Sequence, residues 1–541
     1  MTTEAKSAQS ITSKLWSMAN ELRGNMDASE YRNYILGFMF YRYLSEHQIK
    51  YLANDVYDNG GNLQQAYEQF CEEAPGEEFM EYMEDIANSL GYAIAPADLW
   101  TTIVDKVHQS TIRPEDFQNM FDHFNENTRL NTRAKADFNG VFSDVNLTNS
   151  RLGENTTARA KTLSKIVELV DNFEYKDEHG HDILGDVYEY LIAEFAGNSG
   201  KKAGEFYTPH QVSKILARLV TLNLPDDFDK FSVYDPAMGS GSLLLTVQQF
   251  VPNGTHKGKV QFYGQELNTT TYNLARMNLM MHGVEYTNMS LNNADSLEMD
   301  WPDGIKNGVD SPHFFDAVVE NPPYSAHWDN NENKMKDPRF KDYGALAPKT
   351  KADYAFLLHG LYHLKNTGTM AIVLPHGVLF RGAAEGKIRK ALLEKNQIDA
   401  VIGLPEKLFY STGIPTIIMV LKKQRSQRDV LFIDASKGFE KGKNQNLLRP
   451  ADIDKIIDTY KARRDVDKYA HVATMDEIKE NEYNLNIPRY VDTFEPEPEI
   501  DIAAVNQQIA DIDQQIAAVE QELNAMIADL VETGVDDNDN K

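Results

Sequence analysis

The sequence holds a single cysteine, Cys71, among its 541 residues. An intrachain disulfide is therefore impossible, and zinc sites built from several thiolates are excluded. Long apolar runs are missing as well: no stretch of about eighteen apolar residues occurs, so no segment reads as a membrane-spanning helix. The first residues, Met1-Thr2-Thr3-Glu4-Ala5-Lys6, lack a basic start followed by an apolar core, so no secretory signal is expected. A cytoplasmic protein with no membrane partner fits these absences. Basic residues are also scarce, with 54 Lys and Arg against 82 Asp and Glu and a net charge of −28. Phosphate neutralisation supplies most non-specific DNA affinity, so a chain this acidic should grip duplex DNA poorly by itself. Either nucleic acid is not its substrate, or a partner brings the nucleic acid to it.

Hydrophobic residues make up 42% of the chain and charged residues 25%, which leaves room for a sizeable core. Periodicity divides the chain. Up to about residue 165, apolar residues recur at helical spacing, as in Leu15–Gly24 and Tyr34-Ile35-Leu36-Gly37-Phe38-Met39-Phe40-Tyr41, and predict an all-α domain over residues 1–165. Over residues 166–490, short β-branched runs alternate with helical stretches. The runs are Phe231–Tyr234, Val260–Gly264, Phe315–Val319, Met370–Leu374, Asp399–Gly403 and Thr416–Leu421. This alternation predicts an α/β domain with a mainly parallel, doubly wound sheet, whose ligands sit beyond the carboxyl ends of the strands. Over residues 495–532, Ile502, Val505, Ile509, Ile512, Ile516, Val519, Leu523, Met526 and Leu530 keep a 3-4 spacing. That narrow seam reads as a coiled-coil helix for a partner, with a helix folded back on its own domain as the alternative. Residues 533–541 read as a disordered tail.

The strand Phe231–Tyr234 runs into Asp235-Pro236-Ala237-Met238-Gly239-Ser240-Gly241-Ser242 and then a helix starting near Leu243. Glycines at a strand-to-helix turn let the backbone approach a ligand closely. A dinucleotide site would want a third glycine where Leu244 stands. Glu266 closes the next strand, where a carboxylate can accept from both hydroxyls of a ribose. Asp295 offers a carboxylate at the open edge of the sheet, suited to an adenine amine.

Asn321-Pro322-Pro323-Tyr324 directly follows the strand Phe315–Glu320. Two prolines cannot continue a parallel ladder, so the chain must turn, and the Pro322 carbonyl is expected to point outward. An aromatic amine is a weak nucleophile because its lone pair is delocalised into the ring. Acceptors on both of its N–H groups favour a tetrahedral nitrogen with a localised lone pair. The amide oxygen of Asn321 and the carbonyl of Pro322 are such acceptors, and Tyr324 offers a ring on which an extruded base can stack. Methylation at cytosine carbon-5 would need an active-site thiolate, and the only thiol, Cys71, lies in the helical region beside Glu72 and Glu73.

These segments, with Gly204-Glu205-Phe206-Tyr207-Thr208-Pro209 and Asp182-Ile183-Leu184-Gly185-Asp186-Val187-Tyr188, resemble the modification subunits of type I restriction–modification systems, over most of the chain. The resemblance implies a Rossmann-like class I S-adenosylmethionine-dependent methyltransferase core that methylates the N6 amine of adenine. It places Glu205, Phe206, Tyr207, Thr208, Pro209 and His210 against the cofactor's methionine end with Ser240, Gly241 and Ser242, and Glu266 on the ribose. The implied partners are a DNA specificity subunit, a restriction and translocase subunit, a second copy of this chain and double-stranded DNA. Met238 and Leu243 depart from many relatives, which carry Cys and an aromatic residue there; both are packing positions.

Lys334, Lys336, Arg339, Lys341, Lys349 and Lys351 follow the catalytic motif and are expected to meet DNA near the extruded base, with a solvated loop as the alternative. His179-Gly180-His181-Asp182 completes no metal-ligand set, and no metal is expected. Gly438 to Asn444 is one residue short of a phosphate loop and carries Asn where Ser or Thr belongs. Methylation of a protein glutamine, of cytosine N4, or a non-catalytic scaffold remain as alternatives.

Overall fold

The computed structural model describes residues 28–57, 60–74, 78–172, 175, 183–198, 208–252, 258–302, 305–306, 309–409, 413–442, 445–493 and 501–533. Leu15–Gly24 and His179-Gly180-His181-Asp182 lie outside them. No helix among the described residues is long and apolar enough to cross a membrane.

The N-terminal region is helical, as its periodicity predicts: α1 (Ala28–Tyr51), α2 (Leu63–Glu73), α3 (Phe79–Leu90), α4 (Trp100–His108), α5 (Pro114–Asn127) and α6 (Thr156–Asp171). Aromatic residues at helical spacing on α1 hold it together. Phe38 meets Phe117 edge-on at 6.2 Å, and Tyr41 meets Phe121 edge-on at 5.5 Å. Such edge-to-face pairs add roughly 0.5–1.5 kcal/mol each beyond the area they bury. The same apolar cluster runs on into Val233 and Val319 of the sheet, so helices and sheet share a core. The Tyr43 hydroxyl donates to the Met280 carbonyl at 2.7 Å across that junction.

After α7 (Leu184–Asn198) and α8 (His210–Thr221) the chain enters β1 (Phe231–Asp235), α9 (Ser242–Phe250), β2 (Val260–Gln265), α10 (Thr269–Met281), β3 (Met289–Asn292) and β4 (Phe315–Glu320). Then follow α11 (Asp353–Tyr362), β5 (Leu364–Pro375), α12 (Ala383–Glu394), β6 (Ile398–Gly403), β7 (Thr416–Leu421), β8 (Asp429–Asp434), α13 (Pro450–Ala462) and β9 (Ala470–Thr474). The six runs of β-branched residues read from the sequence are β1, β2, β4, β5, β6 and β7. In space the nine strands run β9-β8-β6-β7-β5-β4-β1-β2-β3. β1 pairs parallel with β2 and β4, whereas β7 is antiparallel to both β5 and β6. The central strands are largely apolar because both faces are covered. On β5, Met370, Ile372 and Leu374 join one core and Ala371 and Val373 the other.

From β1 the order steps outward to β2 and β3, then returns to β4 on the other side of β1. That reversal opens a crevice beyond the carboxyl ends of β1 and β4. The glycine turn and the diproline bend both lie there. A separate unit, Thr493–Lys541, contains α14 (Ile502–Thr533). Its seam residues Ile502, Val505, Ile509, Ile512, Ile516, Val519, Leu523 and Met526 are exposed.

Two glycines of the turn differ in what they require. Gly241 has φ +76° at the N-cap of α9, and an added Cβ would stand 2.4 Å from Leu279 Cδ1. Gly239 has φ +54°, but an added Cβ would enter open space. Gly241→Ala is therefore expected to lower folding stability by about 1–3 kcal/mol, and Gly239→Ala by less, when denaturant midpoints are compared.

Candidate active site

β1 delivers Asp235 to the crevice with 1% of its surface exposed. Its Oδ1 accepts from the Ala237 N–H at 3.0 Å, which starts the turn. Burial, reinforced by the charge of Glu266 and opposed by that hydrogen bond, pushes the Asp235 carboxyl up to about 8. The turn is tied to the end of β2 by the Met238 N–H, which donates to the Gln265 carbonyl at 3.0 Å. At the carboxyl end of β2, Glu266 Oε2 accepts from the Gly239 N–H at 3.1 Å and Oε1 from the Asn268 N–H at 2.8 Å. These bonds orient the carboxylate. Ser240 and Ser242 place their hydroxyls 3.1 Å apart. Asn278 on α10 donates to the Ser240 carbonyl at 2.9 Å. Asp295 Oδ1 caps the Leu297 N–H at 2.9 Å, and Ser296 bonds the Pro236 carbonyl at 2.5 Å, joining this loop to the glycine turn.

β4 delivers the diproline bend. Its last residue, Glu320, is fully buried, with neither carboxyl oxygen hydrogen-bonded. Burial, with the nearby Asp235 second, raises its pKa well above the usual carboxylate range. Asn321 Nδ2 donates to Thr208 Oγ1 at 2.9 Å, two residues before α8. The Tyr324 hydroxyl donates to Asn321 Oδ1 at 2.7 Å. The amide oxygen is thus engaged within its own motif. Phe409, before β7, meets the Tyr324 ring edge-on at 6.2 Å.

The crevice therefore gathers Asp235, Gly239, Ser240, Gly241, Ser242 and Glu266 along one wall. Asp295 is joined to that wall through Ser296. Asn321 joins Thr208 on one side and Tyr324 on the other. Pro209 is buried and His210 exposed at the start of α8. Glu205, Phe206 and Tyr207 lie outside the described residues. Phe409 was not legible beforehand, because an aromatic residue in a loop carries no local signal of its partner.

The basic segment needs correction. Arg339 is 2% exposed and cannot meet a phosphate. Its guanidinium bonds Asp337 at 2.7 Å, the Ser296 carbonyl at 2.9 Å and His359 Nδ1 at 3.1 Å. Lys334 is paired with Glu298 at 2.6 Å and lies over Trp328. Lys336, Lys341 and Lys349 are exposed. Charge pattern alone did not reveal that this loop folds down onto the sheet.

Among the described residues, Asp300, His359 and His363 bring their ligand atoms within 4.8 Å of one another. A guanidinium only donates, so Arg339 occupies the His359 Nδ1 lone pair and Nε2 must carry the proton. That Nε2–H faces the Tyr234 hydroxyl at 2.8 Å, and Tyr234 in turn donates to Gln265 Oε1 at 2.7 Å. Both nitrogens of His359 are thus engaged by protein groups. The trio belongs to a hydrogen-bonded network that reaches the strand end carrying Glu266.

The Asp235 shift has a pH consequence. Between about pH 4 and pH 8 the folded chain keeps a proton that the unfolded chain has released, so stability falls as pH rises through that window. Asp235→Asn keeps an oxygen for the Ala237 N–H and removes the titration. Its melting temperature should exceed that of the parent at pH 8.5 and match it near pH 4; equal differences at both pH values would contradict a raised pKa.

Two family models match successive parts of the chain. Residues 179–499 match the family described as N-6 DNA Methylase, and residues 11–170 match the HsdM N-terminal domain. The MpnII type I restriction enzyme methylase subunit of Mycoplasma pneumoniae is 38% identical over 511 residues, covering 92% of each chain. The HindI methylase subunit of Haemophilus influenzae is 36% identical over 58% of this chain and 70% of its own. A type I restriction–modification methyltransferase subunit from Streptococcus thermophilus has the same fold, with TM-score 0.82 and 45% identity over 90% of this chain and all of that one. Of the acceptors that the Asn-Pro-Pro-Tyr motif left open, the family specifies adenine N6. The chain belongs to the N-6 DNA methylase family, as a type I methylase subunit: an S-adenosylmethionine-dependent, adenine-specific DNA methyltransferase.

Proposed function

We propose that Asn321 and Pro322 accept the two N–H groups of an extruded adenine's N6 amine while Tyr324 stacks on its ring. Pro323 keeps the bend rigid. Thr208, Pro209, His210, Asp235, Gly239, Ser240, Gly241, Ser242, Glu266 and Asp295 hold S-adenosylmethionine, together with Glu205, Phe206 and Tyr207. The observation that carries this reading is the Asn321 amide at the carboxyl end of β4. Thr208 holds its nitrogen, and a hydroxyl donor that an amine can replace covers its oxygen. The open space over Gly239 and the oriented Glu266 carboxylate beside it fit a nucleoside ligand.

When bound, the cofactor supplies an activated methyl group on a cationic sulfonium. The chain's own part is positional and electrostatic. Two acceptors, Asn321 and Pro322, would localise the amine's lone pair, and the residues of the crevice would orient the base toward the methyl donor. The buried carboxyl of Asp235 becomes a better anion beside a cation, so cofactor binding near neutral pH should release a proton.

The chain works in the cytoplasm within an assembly: a specificity subunit that reads the sequence, a restriction and translocase subunit, a second copy of itself and double-stranded DNA. Three observations support this. A net charge of −28 disfavours DNA binding by the chain alone. The relatives are subunits of type I restriction enzymes. The exposed apolar seam of α14 suits a partner helix. We divide the chain into the helical domain 1–165, the catalytic domain 166–490, the partner helix 495–532 and the tail 533–541; the two family matches meet between residues 170 and 179, near the first boundary.

Labelled methyl transfer to plasmid DNA tests the division of labour. The isolated chain should transfer little, and the specificity subunit should restore transfer; robust activity by the chain alone would contradict it. In the restored complex, Asn321→Ala should lower transfer about a hundredfold or more, with cofactor affinity changed by no more than about twofold. Full turnover by that variant would remove Asn321 as the amine acceptor.

A further inference from the structure

The residue that leaves the diproline bend stands in an unfavourable conformation. Ser325 has φ +53°, in the left-handed region that a non-glycine residue adopts only when its surroundings hold it there. Its backbone N–H donates to Asp353 Oδ1 at 2.9 Å. Asp353 opens α11, is fully buried, and has its other oxygen, Oδ2, 3.2 Å from Arg381 Nη1. The same nitrogen lies 3.3 Å from Glu385 Oε1 on α12. The turn after β5 is shaped around this guanidinium, since a Cβ on Gly377 would stand 2.2 Å from Arg381 Nη2. A second bond, from the Ala352 N–H to the Ala326 carbonyl at 3.0 Å, ties the next residue of the loop to the same helix start.

A buried carboxylate is costly unless a cation and hydrogen bonds compensate it, and an apolar side chain would fill the same space more cheaply. Here the carboxylate compensates one exit from the site. Within the bend, the Tyr324 hydroxyl closes on Asn321 Oδ1 over three residues, so the peptide joining Tyr324 to Ser325 sets where that ring stands. If Ser325 relaxed to negative φ, that peptide would rotate and carry the Tyr324 side chain off the amide.

We propose that Asp353, held by Arg381, is a positioning residue for methyl transfer: it pins Ser325 in the left-handed conformation and thereby aims Tyr324 and the Asn321 amide at the target base. The inference rests on reading Asn321 and Tyr324 as the amine site. It also distinguishes Asp353 from a residue that merely stabilises the fold, because glycine adopts positive φ without support.

The test uses the full chain with its specificity subunit, in single-turnover methyl transfer at saturating cofactor, beside melting temperature and cofactor affinity. Asp353→Ala should slow transfer by about tenfold to a hundredfold with cofactor affinity little changed. Adding Ser325→Gly to that variant should restore a large part of the rate, while Ser325→Gly alone stays close to the parent. Should Asp353→Ala fail to fold, Asp353→Val, which removes the acceptor for the Ser325 N–H but refills the buried space, takes its place with the same glycine rescue. Parental rates in the Asp353 variants, or a loss that glycine does not relieve, would overturn the proposal. Asn321→Ala in the same assay separates the two levels. If it turns over normally, the reading of the amine site fails; if it is inactive while the Asp353 variants are normal, only the role of Asp353 fails.

Discussion

Everything in the crevice is arranged around one side-chain amide at the end of a central strand. A flexible amide in water would hydrogen-bond indiscriminately, and ordering it on demand would cost conformational entropy. Here Thr208 holds the nitrogen of Asn321, so the oxygen must face the bend, and the Tyr324 hydroxyl satisfies that oxygen in the absence of a base. The half-buried acceptor is thus paired, and under the proposed reading a base's amine would bring it another donor. The rigid diproline, the left-handed Ser325 and the Asp353–Arg381 pair behind it supply the stiffness this arrangement needs.

Buried charge supports the same crevice from below. Asp235 and Glu320 end adjacent strands, and burial raises both carboxyls, Asp235 up to about 8 and Glu320 well above the usual carboxylate range. Arg339, by contrast, remains charged inside the protein because Asp337 and Asp300 stand beside it. Through His359 and Tyr234 its network extends to Gln265, next to Glu266. The loop after the diproline bend is in this way fastened to the strand that ends beside Glu266.

Much of the architecture could be read from residues that are neighbours in the chain. Short β-branched runs, a glycine turn closing on Ser242, and two prolines after a buried strand are local patterns with local physical causes. The network that aims the site is not local. Thr208 and Asn321 are separated by 113 residues, and Asp353 lies 28 from both Ser325 and Arg381. No periodicity links such pairs, and a single Asp at the start of a helix reads as an ordinary cap. The basic segment misled for the same reason: a run of cations normally marks a solvated face, but here the loop folds inward and buries Arg339. The expected cofactor segment Glu205–Tyr207 lies outside the described residues, so its part in the site rests on the resemblance alone.

The strong acidity of the chain fits a catalytic unit that leaves the recognition of DNA to another polypeptide, and it places the weight of the account on geometry at Asn321. The most direct measurement is a structure of the assembly with a non-reactive cofactor analogue and a target duplex. The adenine N6 should stand within hydrogen-bond distance of both Asn321 Oδ1 and the Pro322 carbonyl, with the Tyr324 hydroxyl moved off the amide. An extruded base with its amine bound elsewhere, and Asn321 still closed onto Tyr324, would contradict it.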